Sequence, residues 1–236
     1  MAADAGERRL NGAAGGRPLV DDLMLVLLSP QTARPVVDGQ RLAPALAGAV
    51  LLDLALAGRL DVTPGARRSS DRLVVVPGPP TGDALVDDAL TRLGGEQRRA
   101  RAAVQRISRW KLPREVQVRL AEQGLVKHTP GGFLKLMRSA PDVAAREELV
   151  GEVTAAITGE QPPSARQAAL VSLLHAVGAV AKVAPATGMS RREVVRRAKE
   201  ISEGEWAGAA VLAAVRAAQA GTSAAVTAAL AAGATS

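Results

Sequence analysis

One apolar stretch decides the fold, ALAGAVLLDLALAGRL at residues 45–60. Leu46, Val50 and Leu54 recur along it at the spacing of a single helical face. Further leucines fall on a second face, so the predicted helix, residues 44–57, is buried on most of its sides. The apolar run is shorter than the ~20 residues of a membrane span. The stretch therefore predicts the core helix of a globular domain.

Helical periodicity and turn residues organise the chain on either side of this helix. They predict further helices at residues 18–28, 85–93, 98–109, 113–123, 142–158, 164–183, 190–203 and 205–220. Short runs beside turn residues predict two hairpins, one pairing residues 59–63 with 72–76 and one pairing 125–127 with 132–137. The fold class is thus mostly α, a single helical-bundle domain with two small β-hairpins. We expect the domain at 18–221, a disordered tail at 1–17 and a low-complexity, Ala-rich tail at 222–236.

Composition excludes several classes of function. The 236 residues contain no cysteine and only two histidines, so disulfides, thiolate catalysis and zinc-finger sites are excluded. Aromatic residues are 1% of the chain, which argues against stacking platforms for nucleic acid. Lys and Arg number 30 against 23 Asp and Glu, a net charge of +7, which favours anionic partners. The excess of Arg and Ala is typical of a high-GC bacterial, actinobacterial-like coding sequence.

Three stretches together carry a family resemblance. They are the apolar helix with its Gly-Arg-Leu end at residues 45–60, the segment PTGDALVDDAL at 80–90 and the segment VRLAEQGL at 118–125. In order and spacing they resemble the Golgi phosphoprotein 3 family, which binds phosphatidylinositol 4-phosphate, and the agreement extends over residues 19–217.

The resemblance implies a mostly α-helical single domain without catalytic activity. Members of the family are peripheral membrane proteins, on Golgi membranes in eukaryotes, where they help to retain glycosyltransferases. The resemblance therefore predicts a cytoplasmic adaptor on the inner face of a membrane. Its partners would be an anionic, phosphatidylinositol 4-phosphate-like lipid surface and membrane-protein clients.

The family's headgroup pocket carries over only in part. Its Trp and one Arg fall on Asp38 and Ala47, and its two other Arg fall on Trp110 and Pro113. Cations lie close to these positions on either side. The candidate headgroup-binding residues are Arg41, Arg109, Trp110, Lys111 and Arg114.

The region between residues 98 and 119 is strongly basic. Its eight cations are Arg98, Arg99, Arg101, Arg106, Arg109, Lys111, Arg114 and Arg119, and its only acid is Glu115. An anionic membrane attracts such a cluster, and an indole such as that of Trp110 suits the lipid interface. The alternative is that Trp110 anchors the core while the arginines form a solvated helix face. A second basic helix, 190–203, is open to the same two interpretations.

Two other functions remain as alternatives. One is a protein–protein interaction module that has lost lipid binding and self-associates through the 125–137 hairpin, whose strand edges are available for pairing. The other is a basic, helical nucleic-acid-binding protein, against which the aromatic content argues. The sequence predicts no enzyme, no cofactor and no metal site. Asp83 is expected at the start of a helix, and Asp87 and Asp88 in solvent.

Overall fold

Nine helices lie in the residues that the computed structural model describes, which are 16–63, 72–108, 111–129, 138–160, 162–184 and 187–204. They are α1 (Leu19–Leu27), α2 (Gly39–Leu56), α3 (Ala84–Leu93), α4 (Ala100–Ser108), α5 (Leu112–Glu122), α6 (Val143–Thr158), α7 (Ala165–Ala176), α8 (Val180–Val183) and α9 (Arg191–Glu203). The same residues contain seven short strands, β1 (Leu28–Ser29), β2 (Arg34–Pro35), β3 (Leu60–Thr63), β4 (Arg72–Val75), β5 (Arg98–Arg99), β6 (Val126–Thr129) and β7 (Arg138–Pro141).

The prediction of a mostly α fold is confirmed. The predicted helix at 205–220 and the low-complexity tail at 222–236 lie outside the described residues, as does nearly all of the tail at 1–17. The domain bounds of 18–221 therefore stay a prediction.

Helix α1 is the centre of the core. All of its residues are buried, and it packs against α2, α5, α6 and α7. Its N-terminus has no side-chain cap of its own, because Pro18 occupies the capping position. The carboxylate of Asp53, from α2, accepts the backbone N–H groups of Leu19 at 2.7 Å and Val20 at 3.1 Å instead. A half-buried side chain from a neighbouring helix thus satisfies two of the free donors of α1.

The other end of α1 is satisfied in the same manner. Arg146 of α6 donates through Nε to the carbonyl of Leu28 at 2.8 Å and through a terminal nitrogen to that of Val26 at 3.3 Å. A cation at the C-terminal end of a helix also complements the helix dipole. Burial lowers the pKa of Arg146 from its usual value. The core helix is therefore held at both ends by charged groups from other helices.

Helix α2 begins earlier than predicted. It starts at Gly39 rather than at Pro44, because the carboxylate of Asp38 caps it by accepting the N–H of Arg41 at 3.0 Å. Pro44 lies inside the helix, where its ring removes one backbone donor. By length and composition α2 could cross a membrane, but 72% of it is buried inside the protein. Such burial is the behaviour of a core helix.

The first predicted hairpin is part of a larger sheet. Strands β3 and β4 pair antiparallel as expected, and β5 joins them on the far side of β4. Residues 98–99 were predicted to begin the basic helix, but Arg98 pairs with Leu73 of β4. The Nε of Arg98 also donates to the carbonyl of Leu93 at 2.9 Å, which holds this segment against the end of α3. Helix α4 consequently starts at Ala100.

The second hairpin lies later in the chain than predicted. Strand β6 pairs with β7, residues 138–141, whereas the second strand was expected at 132–137, which lies outside the described residues. The N–H of Ser139 in β7 donates to the carbonyl of Ala33, between β1 and β2, at 2.9 Å. Strands β1 and β2 form a third small sheet that was not predicted.

The long helix predicted at 164–183 is two helices. Ser164 caps α7, and the helix ends at Ala176 because Gly178 adopts a left-handed backbone with φ of +68°. Glycine takes this conformation without steric penalty, so the chain turns and restarts as α8. Helix α9 begins as predicted, with Ser190 accepting the N–H of Glu193.

Candidate functional site

Helix α5 forms one wall of the candidate site. Pro113, in the first turn of the helix, has no N–H to leave unsatisfied, which favours a helix start here. Leu112, Val116 and Leu120 point into the core. The opposite face presents Lys111, Arg114, Glu115, Val118 and Glu122 towards solvent.

The start of α3 forms the other wall. Asp83 caps this helix, accepting the N–H groups of Leu85 at 3.0 Å and Val86 at 3.1 Å, as the sequence predicted. The preceding residue, Gly82, has a φ of +88°, a conformation that favours glycine. Thr81 donates its N–H to the Asp87 carboxylate at 2.8 Å, so Asp87 supports the turn and is not simply solvated.

An open cleft of about 600 Å³ lies between these two walls. Its lining residues are Gly82, Asp83, Ala84, Leu85, Lys111, Arg114, Glu115, Val118, Arg119 and Glu122. Val118 is 44% exposed and, with Ala84 and Leu85, supplies the apolar part of the lining. The cleft therefore combines charged groups of both signs with an apolar surface.

Arg119 is paired with two carboxylates at the floor of the cleft. One guanidinium nitrogen donates to both oxygens of Asp83, at 2.8 Å each. The other donates to Asp21 of α1 at 2.5 Å. Arg119 had been counted with the membrane-facing cations, but these pairs make it a structural residue. No local pattern could have revealed the contact, because Asp21 and Arg119 are 98 positions apart.

Lys111 and Arg114 are the cations that remain available in the cleft. Both are exposed, and within the described residues neither forms an ion pair or a side-chain hydrogen bond. Glu115 and Glu122 lie on the same helix and reduce the local positive potential. The cleft can thus present two cationic donors to an anion, but the net charge of its lining alone does not attract one.

The other predicted site residues lie elsewhere or are not described. Arg41 is at the start of α2, 3.4 Å from the Asp38 carboxylate, and does not line this cleft. Arg109 and Trp110 lie outside the described residues, directly before Lys111 in the chain. Of the five predicted residues, the structure therefore brings together Lys111 and Arg114.

A second group of carboxylates lies beneath the cleft, around the start of α1. Asp53 is half-buried, and the loss of hydration raises its pKa to about 7, although the two backbone N–H groups that it accepts oppose this shift. Burial likewise raises the pKa of Asp21 to about 6, against the attraction of Arg119. Asp22 pairs with Arg17 at 2.8 Å and also with Arg166. Among the described residues no three acidic or histidine side chains are placed to hold a metal ion.

The basic helix α9 is partly neutralised by its own acids. Arg196 donates to Glu200 at 2.6 Å and to Glu193 at 3.3 Å. For Arg196, the interpretation as a solvated face with pairs along the helix is correct. Arg191 and Arg192 are exposed and make no such pair within the described part of the chain.

The comparison with known families now identifies the chain. The sequence model of the family described as Golgi phosphoprotein 3 (GPP34) matches residues 19–218. The protein belongs to this family. The match spans all nine of the described helices, from α1 to α9.

A curated protein supports the same assignment over a shorter segment. The chain is 36% identical over 84 residues to the vacuolar protein sorting-associated protein 74 of Eremothecium gossypii. This segment is 34% of the present chain and 25% of that relative. The alignment thus spans a quarter of the relative's length.

Two positions onto which pocket residues of the Golgi phosphoprotein 3 family carry over have structural roles in this member. Ala47 is completely buried in α2. Asp38 caps the same helix. The two other arginine positions carry over to Trp110 and Pro113, and the cations one residue away from them are Arg109, Lys111 and Arg114. Of these, Lys111 and Arg114 line the cleft, and Arg109 lies outside the described residues.

Proposed function

We propose that this protein is a peripheral membrane protein that recognises an anionic, phosphatidylinositol 4-phosphate-like phospholipid headgroup and acts as an adaptor rather than a catalyst. The observation that carries the proposal is the presence of Lys111 and Arg114, exposed and unpaired within the described residues, at the cleft of a Golgi phosphoprotein 3 family member. Its expected location is the cytoplasmic face of a membrane, with membrane-protein clients as further partners.

The chemistry of the cleft supports a phosphorylated headgroup. A phosphomonoester has several oxygen acceptors and up to two negative charges, and binds best where two or more cations converge. Arg114 can donate two parallel hydrogen bonds, and Lys111 adds a compact charge one helical turn away. Arg109 and Trp110, which directly precede Lys111 in the chain, are part of the proposed headgroup site.

The carboxylates of the cleft bear on its selectivity. Glu115 and Glu122 repel any anion that approaches without hydrogen bonding to the cations. A headgroup phosphate that reaches Lys111 and Arg114 gains short-range bonds that a singly charged lipid surface does not. We therefore expect selectivity for phosphorylated inositol lipid over other anionic lipids of equal charge.

Vesicle co-sedimentation tests the proposal. The vesicles contain phosphatidylinositol 4-phosphate, phosphatidylinositol, phosphatidylserine at matched charge, or phosphatidylcholine alone. We expect the Lys111→Gln/Arg114→Gln variant to bind the first vesicles at least tenfold more weakly, since a cation near an anionic surface contributes about 1 kcal/mol. The Arg191→Gln/Arg192→Gln variant is the matched control, because it removes the same charge from exposed positions on α9.

The pattern of binding decides between the proposal and its alternatives. Equal losses in both variants would mean that binding follows total charge and that the cleft is not a headgroup site. Absence of binding to any vesicle at low salt would favour the protein–protein interaction module. Tighter binding to duplex DNA than to vesicles, steeply dependent on salt, would favour the nucleic-acid alternative.

Self-association through the 125–137 hairpin is a separate part of the proposal. One side of β7 is already partly covered, because the N–H of Ser139 donates to Ala33. Pairing between copies would therefore use the free edge of β6, towards which the N–H of His128 points, because its register partner Ser139 directs its own N–H away from β6. A proline at His128 would remove this donor without breaking the ladder to β7. Light scattering would show a monomer for His128→Pro and an oligomer for His128→Gln.

A further inference from the structure

Two arginines lie side by side on adjacent strands of the sheet formed by β3, β4 and β5. The register pairs Arg72 of β4 with Arg99 of β5, and pairs the same Arg72 with Thr63 of β3. Residues paired directly across antiparallel strands project from the same face, with their Cβ atoms about 5 Å apart. Thr63, Arg72 and Arg99 thus form one row across the sheet.

This row lies on the solvent side of the sheet. Thr63, Arg72 and Arg99 are all exposed, whereas the neighbouring Leu73 is 3% exposed and packs into the core. Arg98, which pairs with Leu73, is occupied by the Leu93 carbonyl and by the Glu96 carboxylate. Side chains alternate between the two faces along each strand, so the pair Leu73–Arg98 faces the core and the pair Arg72–Arg99 faces the solvent.

No acidic side chain in the described part of the chain neutralises the two exposed arginines. Neither Arg72 nor Arg99 has an ion pair or a side-chain hydrogen bond there. Asp61 precedes Thr63 on the same face of β3, where its carboxylate accepts the N–H of Val62 at 2.7 Å and forms no ion pair with either arginine within the described residues. Like charges directly opposite each other destabilise a strand pair. An anion bound between the two guanidinium groups would remove this repulsion.

We propose that Arg72 and Arg99 bind a phosphate group, with the hydroxyl of Thr63 as a third donor. Each guanidinium presents a planar pair of N–H donors, and a tetrahedral phosphate has enough oxygen acceptors for both. The site shares no residue with the cleft of Lys111 and Arg114. It is therefore a second anion-binding surface that does not rest on the proposed headgroup function.

Thermal unfolding in matched solutions tests the site directly. The melting temperature is measured in sodium phosphate and in sodium chloride of the same ionic strength and pH. A ligand at ten times its Kd should raise the melting temperature by about 3 °C in a protein of this size. Phosphate stabilises folded proteins in general, so the measured quantity is the difference between the responses of wild type and variant.

The Arg99→Gln variant separates binding from simple repulsion. In chloride it should melt higher than the wild type, because the opposed charge is gone, and in phosphate it should lose the extra 3 °C. Asp61→Asn, which removes the carboxylate from the same face, should bind phosphate more tightly. The Arg192→Gln variant, from the exposed face of α9, should respond like the wild type. Equal phosphate responses in wild type and Arg99→Gln would overturn the proposal.

Vesicle binding distinguishes the two sources of the phosphate group. If Arg72→Gln/Arg99→Gln loses both the phosphate response and binding to phosphatidate vesicles, the site takes a lipid headgroup. If it loses only the response to inorganic phosphate, the site takes a soluble phosphorylated molecule. The Lys111→Gln/Arg114→Gln variant should keep the part of the phosphate response that Arg99→Gln removes, so failure of the cleft and failure of this site are separable.

Discussion

Arg119 of α5 donates to the completely buried carboxylate of Asp21 in α1, and the same guanidinium holds Asp83 at the start of α3. One cation thus joins three helices beneath the cleft. The second oxygen of Asp21 and the Nε of Arg119 are buried without hydrogen-bond partners among the described residues. Asp21 and Arg119 therefore stabilise each other's charge, and removing either side chain leaves the other as a poorly hydrated ion that has lost this countercharge.

Arg119→Gln should be strongly destabilising. It leaves the Asp21 carboxylate buried without a countercharge, a change that typically lowers the free energy of unfolding by about 3–5 kcal/mol. Arg114→Gln, five residues earlier on α5, is the control and should change it by less than about 0.5 kcal/mol, because Arg114 is exposed. Urea denaturation followed by circular dichroism measures both. A loss below about 1 kcal/mol for Arg119→Gln would contradict a structural role for the pair.

Arg146→Met should destabilise the other end of the core helix. It removes both hydrogen bonds to the carbonyls of Val26 and Leu28 and leaves these buried acceptors unsatisfied, with an expected loss of about 2–4 kcal/mol. Arg146→Lys keeps the charge but cannot donate in the same fork, so its loss should be intermediate. Urea denaturation again gives the order, and equal stability of the Lys variant and the wild type would show that the second bond contributes nothing.

The elements that sequence predicted correctly are those specified by neighbouring residues. The apolar face of α2 and the alternation of β3 and β4 follow from local spacing. The cap of α3 by Asp83 follows from the turn sequence Pro80-Thr81-Gly82-Asp83, which directly precedes the helix. The start of α2 at Gly39 was missed because Pro44 was taken as the first residue, although Asp38 supplies a better cap.

The candidate site was harder to predict because its charges are sorted by distant contacts. Arg114 and Arg119 look alike in the sequence, yet one is exposed and the other is bound by two acids. Only packing of α5 on α1 creates this difference. The pairing of Arg98–Arg99 with β4 depends in the same way on the return of the chain after α3. A run of arginines therefore predicts total charge, but not which cations can bind a ligand.

Stability should fall as the pH rises, because of Asp53. Burial raises its pKa to about 7, so the folded state binds this proton more tightly than the unfolded state, where the pKa is near 3.8. The stabilisation is complete below about pH 4 and is lost as pH rises to about 7, at roughly 1 kcal/mol per pH unit. Asp21, with a pKa raised to about 6, acts in the same direction.

Asp53→Asn tests this dependence. The amide cannot ionise, so the slope of unfolding free energy against pH between 4 and 7 should decrease relative to wild type, and the part due to Asp21 should remain. Leu54→Val is the control, since it weakens the core without removing an ionisable group and should leave the slope unchanged. Urea midpoints at several pH values give the slopes. An Asp53→Asn slope equal to that of wild type would contradict ionisation at Asp53.

Two glycines in predicted helices should respond in opposite ways to alanine. Gly151 lies inside α6 with helical backbone and open space around it, so Gly151→Ala should raise the free energy of unfolding by about 0.5–1 kcal/mol. Gly178 has equally open space but a φ of +68°, where a Cβ is strained, so Gly178→Ala should lower it by about 1–2 kcal/mol. Urea denaturation of the two variants provides the comparison. Stabilisation by Gly178→Ala would mean that residues 164–183 can form the single helix that their sequence suggests.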